Sequence, residues 1–310
     1  MEKDFHYHLV YALARIARMK EPKTIAYASQ FVDDNNEGQF EIDGKKIGFP
    51  EKIPANGGHF FPIMTQSLSI KSFDIYVQKY VYTPFHFLPG DNDVEIDGKK
   101  NPLSTTPNSQ NAKALLEFAL ASGDAYQIGI AIHTYADTWS HQNFSGISED
   151  WNSVYPWYNV FKSIAPNIGH AEAGHSPDVI SDTWTDHRLA SGKRKIKNSK
   201  RALDAAEGVY KMISKANNTA PTWSAIRKNI KSIIDSSDYD ERIKKISQVL
   251  RAKRLGKIPA YDPNDWIDRA LDKESGKVTM KQDFAKTDWH DFHQAAKSHF
   301  SFVLDRLKAL

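Results

Sequence analysis

Three potential metal ligands recur at intervals of four residues within the segment 130–142, namely His133, Asp137 and His141. Each step of four residues advances about 40° around an α-helix and about 6 Å along its axis, so the three side chains would form one ridge. The outer two Cα atoms would then lie about 12 Å apart, too far for one ion to be held easily by all three. The spacing predicts two or more metal ions with Asp137 between them, because a carboxylate can bridge two cations whereas an imidazole binds one.

The composition limits what kind of protein this is. Its 310 residues are 40% hydrophobic, enough for a substantial core, and the formal net charge of +3 is too small to indicate a polyanionic partner from the overall field. The absence of cysteine excludes disulfides and thiolate ligands, so any zinc would be held by nitrogen and oxygen donors. We expect a globular protein without a transmembrane segment, because no stretch has 18 continuous apolar residues. Since the first residues lack signal-peptide features, a cytoplasmic location is the default, with export by a route without a cleaved signal as the alternative.

Helical periodicity dominates the segments that must position the ridge. It predicts helices over residues 4–19, 23–34, 109–122, 124–141, 200–216, 223–234, 240–254 and 288–310. Between Gly38 and Asn101 the period weakens, and Asp-Gly within the near repeats 41–46 and 95–100 predicts two small hairpins. Residues 73–82 fit either a helix or a strand. The sequence therefore predicts a mainly α fold, a multi-helix bundle with small β-hairpin insertions, with a metal-binding core over residues 1–190 and a helical extension over 191–310 packed on it as one continuous domain.

Further candidate ligands lie on other predicted elements. His6 is on the apolar side of the first helix, where the alternative is a core histidine bonded to a backbone carbonyl. Asp33 and Asp34 end the second helix, where two carboxylates oppose the helix dipole and are costly unless a cation offsets them. The alternative for this pair is a solvated turn. His86 is held between two prolines and flanked by phenylalanines, which restricts where its ring can point.

A glycine- and proline-containing loop over residues 169–178 supplies several more donors, His170, Glu172, His175 and Asp178. Its composition indicates a fixed turn rather than a periodic element. Together with the helices, it brings nitrogen and carboxylate donors from four or five separate elements of a largely helical chain. Helical bundles commonly build metal sites in this way, from side chains that project inward from several helices.

The order of these motifs resembles the zinc-dependent phospholipase C and single-strand-specific nuclease superfamily, whose members are mainly helical enzymes with a three-zinc cleft. The resemblance covers about the first 190 residues and rests on Phe-Val-Asp at 31–33, Phe-His-Phe at 85–87 and the helix with His133, Asp137 and His141. It implies one zinc at Asp33, His86, His133 and Asp137, a second at His6 and Asp137, and a third at His141, His170 and Asp178. The chain is also similar to a bacterial family with no assigned activity, through Asp-Phe-His-Tyr at 4–7, His-Thr-Tyr-Ala-Asp at 133–137 and Gly-His-Ala-Glu at 169–172.

The chain departs from the superfamily pattern at three places, the first being that His141 follows Asp137 by one helical turn rather than by about a turn and a half. In those enzymes the N-terminal tryptophan chelates zinc through its amine and carbonyl, whereas this chain begins with Met1 and places His6 only five residues later. Asp4 is an alternative ligand at that position. In the last ligand set, Glu172 and His175 are alternatives to Asp178, because the histidine and carboxylate lack the usual spacing.

The resemblance implies a metal-dependent hydrolase, a phosphoesterase that cleaves a phosphodiester or a phospholipid headgroup with a water activated by two or three zinc ions. Asp33 or its neighbour Asp34 would act as the base. The substrate would contain phosphate, with nucleic acid and lipid both open, and iron or manganese are alternative metals. Two other functions are weighed against this one. The first is a catalytically silent metal-stabilised or interaction protein, in which the histidines hold helices together and the basic C-terminal half binds a partner. The second is a di-iron oxidoreductase, although the chain lacks the expected pair of Glu-x-x-His motifs.

Overall fold

The predicted helical periodicity is realised along most of the chain. The computed structural model describes residues 1–36, 39–42, 45–48, 53–55, 58–67, 73–90, 95–96, 98–155, 167–215, 217–274 and 277–308. Within these ranges the chain is mainly helical, and its strands pair only as two-stranded antiparallel sheets. The predicted fold class is confirmed.

The predicted helices lie close to their predicted bounds, whereas the short helix Asp265–Ala270 was not predicted. In chain order they are α1 (Asp4–Leu9, of π-helical pitch, continued by Val10–Ile16), α2 (Pro22–Asp34), α3 (Ile75–Val77, Gln78–Tyr82 and Thr83–Phe85), α4 (Gln110–Ser122), α5 (Ala125–Ser140), α6 (Asn198–Ser214), α7 (Trp223–Ile234), α8 (Tyr239–Ala252), α9 (Asp265–Ala270) and α10 (Asp288–Leu307). Residues 73–82, which fit helix or strand in the sequence, are largely helical. Helix α10 ends three residues before its predicted end, and its last two predicted residues lie outside the described ranges.

The strands form small hairpins. They are β1 (Gln39–Ile42), β2 (Lys45–Gly48), β3 (Ile53–Ala55), β4 (Gly58–Phe60), β5 (Glu95–Ile96), β6 (Lys99–Lys100), β7 (Thr183–Thr185), β8 (Lys195–Lys197), β9 (Leu271–Glu274) and β10 (Lys277–Met280). Ile42 pairs with Lys45 and Ile96 with Lys99, so both near repeats fold as hairpins with two residues between the strands. This pairing confirms both predicted hairpins, while the turn residues Asp43, Gly44 and Asp97 lie outside the described residues.

Helix α5 is the central helix of the structure, and it packs against α2, α4, α6 and α10. Asp124 caps its N-terminus by accepting hydrogen bonds from the backbone N–H groups of Tyr126 and Gln127, which fixes where the helix starts. Gly129 lets α2 approach closely, because a Cβ there would lie 2.4 Å from the carbonyl oxygen of Ile25. The two helices run side by side from this point, so that Asp33 near the end of α2 lies 3.7 Å from His133 on α5.

The main hydrophobic core contains residues from both predicted parts of the chain, 1–190 and 191–310. It includes Phe5 and Tyr135 together with Tyr210 and Phe292. A buried ion pair also joins the first helix to α8, since Arg242 Nε donates to Asp4 Oδ2 at 2.5 Å. In the part of the chain that the structure describes, no helix has the length and apolar character needed to cross a membrane.

Two histidines of α10 belong to the core rather than to any cluster of potential ligands. His299 Nε2 donates to the carbonyl oxygen of Pro84 at 2.9 Å, and its ring stacks on Phe85. His293 Nδ1 accepts from the backbone N–H of Ile63 at 3.0 Å. Burial is the main cause that lowers the pKa of His299 to about 4 and that of His293 to about 3.

These lowered pKa values predict a stability that falls in acid. The unfolded chain binds a proton on His299 below its ordinary pKa of 6.5, whereas the folded chain does so only near pH 4. Stability is therefore lost as the pH falls through this window. Between pH 7 and pH 5 the contribution of one such histidine is about 2 kcal/mol. We expect His299→Gln to lose correspondingly less stability than the wild type over this range, measured by urea unfolding at both pH values; equal losses would contradict this.

Candidate metal centre

Asp137 lies at the centre of a buried cluster of nitrogen donors. Its Oδ1 is 3.0 Å from His6 Nε2, and its Oδ2 is 3.1 Å from His133 Nε2, one helical turn earlier on α5. The same Oδ2 lies 3.4 Å from His86 Nδ1 and 3.6 Å from His141 Nδ1. Asp137 is only 1% exposed, so its charge must be balanced by these neighbours or by a bound cation.

Five elements bring the candidate ligands together. Helix α1 supplies His6, the end of α2 supplies Asp33, and His86 follows directly after α3; the remaining donors come from α5 and from the loop at 169–178. Their donor atoms form three groups, each with its atoms within 4.8 Å of one another: His6, His133 and Asp137; Asp33, His86 and His133; and His141, His170 and Asp178. The structure thus brings all eight predicted ligands into adjacent groups that could hold metal ions.

The hydrogen bonds of His86 and His133 determine which ring nitrogens face the centre with a lone pair. His86 Nε2 lies 2.8 Å from the carbonyl oxygen of Thr65, and His133 Nδ1 lies 2.8 Å from that of Ser29. A carbonyl can only accept, so each of these nitrogens donates its hydrogen outward. In the neutral rings, the opposite nitrogens, His86 Nδ1 and His133 Nε2, then carry lone pairs only 3.1 Å apart. Two lone pairs this close repel each other, whereas a cation placed between them would be bound by both nitrogens.

The third group has the same arrangement. His141 Nδ1 donates to the carbonyl oxygen of His86 at 2.8 Å, and His170 Nδ1 donates to that of Gly174 at 2.9 Å. Their Nε2 atoms point at the two oxygens of Asp178, at 3.0 and 3.1 Å respectively. Backbone carbonyls that fix the outward nitrogen are a common second layer around metal-binding histidines.

His6 differs from the other four histidines. Its Nδ1 is buried and has no hydrogen-bond partner among the described residues, while its Nε2 faces Asp137. Its ring stacks on that of His133 with 3.9 Å between centroids. Burial and the nearby Met1 ammonium lower the pKa of His6 to about 4, so the ring is neutral at pH 7. The observed contacts exclude the predicted alternative of a core histidine bonded to a backbone carbonyl.

The pKa values of the carboxyl groups in the centre are shifted in opposite directions. Burial opposes the ionisation of Asp137, but the Met1 ammonium and the surrounding histidines outweigh it and hold its pKa well below the usual range. The pKa of Asp178 is also held well below the usual range, because the Met1 ammonium and His170 outweigh its burial. For Asp33, burial and the charge of Asp137 raise the pKa well above the usual range. The centre thus combines two carboxylates that stay ionised with one that readily takes up a proton.

The amine of Met1 lies within the same cluster. Its nitrogen is 2.7 Å from Asp137 Oδ1 and 3.1 Å from Asp178 Oδ1. Burial opposes its charge, but Asp137, Asp178 and Asp33 outweigh the burial and raise the pKa of the amine to about 11. A positive group therefore lies between the two carboxylates. Asp4, the predicted alternative ligand, lies outside this cluster and binds Arg242.

Three other candidates have different contacts. Asp34 accepts hydrogen bonds from the hydroxyl of Tyr261 at 2.5 Å and from Gln30 at 3.2 Å, and it belongs to none of the three groups. Glu172 accepts from the backbone N–H of Val154 at 2.5 Å, so it stabilises a loop. These contacts argue against Asp34 as the base and against Glu172 as a ligand. His175 is exposed at the edge of the centre and is in none of the groups.

A cavity of about 440 Å³ opens onto the cluster. Asp33, His86, Asp137, His141, His170 and Asp178 line its floor, and its side walls include Phe73, Tyr82, Phe87 and Ile168. Of these wall residues, only Phe87 carries a sequence signal, because it follows His86 in Phe-His-Phe. The others were missed, since single aromatic residues on unrelated segments give no pattern before the chain is folded.

The fold and the site define a mainly helical protein with buried histidine and aspartate groups that could bind metal ions. The model of a family of unknown function, DUF6765, matches residues 1–307, and the chain belongs to this family. The match extends over every residue of the candidate metal centre. No curated protein and no solved structure matches the chain.

Proposed function

We propose that this protein is a metal-dependent phosphoesterase that cleaves phosphodiesters at the centre around Asp137. The observation that carries the proposal is the pair of lone-pair nitrogens, His86 Nδ1 and His133 Nε2, which face each other at 3.1 Å beside Asp33 and Asp137. Nitrogen and oxygen donors in this number suit zinc, with iron or manganese as alternatives. The resemblance to the phospholipase C and nuclease superfamily supports a phosphate-containing substrate.

The residues present fit two or three metal ions. Asp33, His86 and His133 would hold one, His6 and Asp137 with the Met1 amine a second, and His141, His170 and Asp178 a third, with Asp137 shared between sites. Bound there, the ions would lower the pKa of a coordinated water and neutralise charge on the phosphoryl oxygens. The aromatic and aliphatic wall of the cavity would hold one substituent of the ester and exclude water from it.

Asp33 is the side chain that would take the proton of the attacking water. Its side chain is 26% exposed, whereas that of Asp137 is 1% exposed, so a substrate or water can reach it from the cavity. A raised pKa suits a base, because it makes the carboxylate a stronger proton acceptor. Asp34 lacks this access to the cluster, since its carboxylate is held by Tyr261 and Gln30.

Metal analysis and a substrate panel test the proposal together. The protein would be purified without chelator, assayed for metals by elemental analysis, and tested on bis(p-nitrophenyl) phosphate, p-nitrophenyl phosphate, a dinucleotide and a short-chain phosphatidylcholine. We expect two or three ions per chain, hydrolysis of at least one diester, and loss of both with a chelator. Bound metal with no hydrolysis across the panel would instead support the silent metal-stabilised protein, and visible absorption with bound iron would support the di-iron alternative.

Replacing Asp33 and Asp34 one at a time tests which of the two aspartates acts as the base. Asp33→Asn should lower the rate constant kcat for the diester by about 100-fold or more, because it removes a proton acceptor and one potential ligand. Asp34→Asn is the matched control, one residue away, and should change kcat by less than about five-fold, because its role is a hydrogen bond worth about 1 kcal/mol. Equal losses from both substitutions would remove Asp33 from its proposed role.

A further inference from the structure

The cleft has two lobes that meet over the metal centre. The apolar lobe is the cavity walled by Phe73, Tyr82, Phe87 and Ile168. The second lobe is another cavity, of about 520 Å³, whose lining also includes Glu2, Lys3, Gln30, Asp34 and Tyr239. Both lobes share Met1, Asp33, Gln66, His175 and Asp178, so these residues mark the junction.

A phosphodiester bound at this junction would place one substituent in each lobe. The phosphorus would lie over the shared residues, and so would the two ester oxygens that join it to the substituents. Three of the shared residues, Met1, Asp33 and Asp178, are already engaged in the centre. Gln66 Oε1 accepts from the neighbouring backbone N–H of Ser67. The His175 ring and the amide N–H group of Gln66 are the remaining hydrogen-bond donors at the junction, and the ring of His175 is the one exposed on the loop that carries His170 and Asp178.

His175 has an unengaged ring. Its side chain is exposed, and among the residues that the structure describes its imidazole has no hydrogen-bond or ring partner. Its backbone is fixed, because its carbonyl accepts from the N–H of Asp178 at 3.0 Å. The charged groups that line the second lobe with it are the Met1 ammonium, Glu2, Lys3, Asp33, Asp34 and Asp178, with the phenol of Tyr239. A neutral imidazole still has one N–H to donate, so a contact with substrate does not require it to be charged.

We propose that His175 is a catalytic residue, not a metal ligand, and that its ring N–H donates a hydrogen bond to the leaving-group oxygen of the phosphodiester. This inference rests on the proposed function. When the oxygen of water forms its bond to phosphorus, the bond from phosphorus to the leaving oxygen breaks and that oxygen keeps the electron pair. The proton of the water passes to Asp33, and the leaving alkoxide is protonated by solvent. The hydrogen bond from His175 would strengthen as charge develops on the leaving oxygen.

The test compares substrates whose leaving groups need different amounts of stabilisation for their negative charge. The p-nitrophenolate ion spreads its charge over the ring, whereas an alkoxide does not, so only an alkyl leaving group depends strongly on a donor. We expect His175→Ala to lower kcat for the dinucleotide or the short-chain phosphatidylcholine by about 100-fold to 1,000-fold. With bis(p-nitrophenyl) phosphate the loss should be less than about ten-fold. His175→Gln, which keeps a side-chain N–H donor, should recover part of the loss.

Metal content and thermal midpoint, measured on the same samples, should equal those of the wild type. His187→Ala is the matched control, because His187 is not among the described residues that line either lobe; it should leave both rates unchanged. Loss of a metal ion in His175→Ala would make His175 a ligand and overturn the inference. Equal losses on both kinds of ester, or a wild type that cleaves only the aryl diester, would overturn it as well. A metal-loaded wild type that cleaves no diester would refute the proposed function itself.

Discussion

Replacing Asp137 by asparagine is expected to remove at least two metal ions and to lower diester hydrolysis by about 1,000-fold or more. The physical reason is that this one carboxylate faces the ligand nitrogens of two candidate groups and lies beside the His141 ring of the third. Oδ1 contacts the Met1 amine and His6, and Oδ2 contacts His133, His86 and His141. An amide keeps the shape of the side chain but has no negative charge, so it cannot offset adjacent cations.

The measurement is elemental analysis of Asp137→Asn beside activity on the best substrate of the panel. Asp186→Asn is the matched control, because Asp186 is also a fully buried carboxylate, but it pairs with Arg188 at 2.7 Å outside the candidate groups. We expect the control to lower the thermal midpoint while keeping its metal ions. If Asp137→Asn binds as much metal as the wild type, Asp137 is not a shared ligand.

The buried pair of Asp4 and Arg242 should have the largest effect on stability. Arg242 is 3% exposed and donates both to Asp4 and, through Nη1, to the carbonyl oxygen of Ser236 at 2.7 Å. Arg242→Met leaves the carboxylate of Asp4 buried without its partner. We expect the free energy of unfolding to fall by about 3 to 5 kcal/mol, which is the usual cost of breaking a buried ion pair from one side.

The double variant with Asp4→Asn and Arg242→Met distinguishes the contribution of the ion pair to stability from the contribution of side-chain packing. Neither variant side chain is charged, so the double variant should be more stable than the sum of the two single changes predicts. Urea unfolding of the four proteins measures this coupling. Additive losses would mean that the two side chains act independently. The surface pair of Lys200 and Asp204 is a control, since exposed pairs contribute about 1 kcal/mol or less.

The fold class was accessible from the sequence because its main signals are local. The apolar spacing in the segments that became α2, α4 and α5 fixes a helix within a few turns, and Asp-Gly fixes a hairpin within six residues. Helix ends could be located where a capping side chain was visible, as with Asp124 before α5. The π-helical pitch at the start of α1 was not predicted, because the side-chain pattern does not distinguish it from an α-helical turn.

Asp137 as the middle ligand of the ridge was also predicted locally, since four-residue spacing alone places His133, Asp137 and His141 on one face. The other predicted ligands depended on resemblance. Nothing local decided whether His6 was a ligand or a core histidine, or whether Asp33 or Asp34 faced the centre. Asp33 and Asp34 are adjacent at the end of one helix and have the same side chain and the same charge. Their roles differ only because Tyr261, 227 residues further along the chain, binds one of them.

The sequence by itself determined the helical ridge, the absence of thiolate ligands and the types of donor available, because these depend on residue identity and short-range geometry. Only the tertiary structure decided which nitrogen of each ring faces the centre, because that orientation is set by backbone carbonyls such as those of Ser29 and Thr65. Every residue has a backbone carbonyl, so the sequence does not indicate which ones will accept these hydrogen bonds. The tertiary structure also decided that Met1 lies beside Asp137 and that His175 lies where the two lobes meet. Such contacts join residues far apart in the chain, and packing alone brings them together.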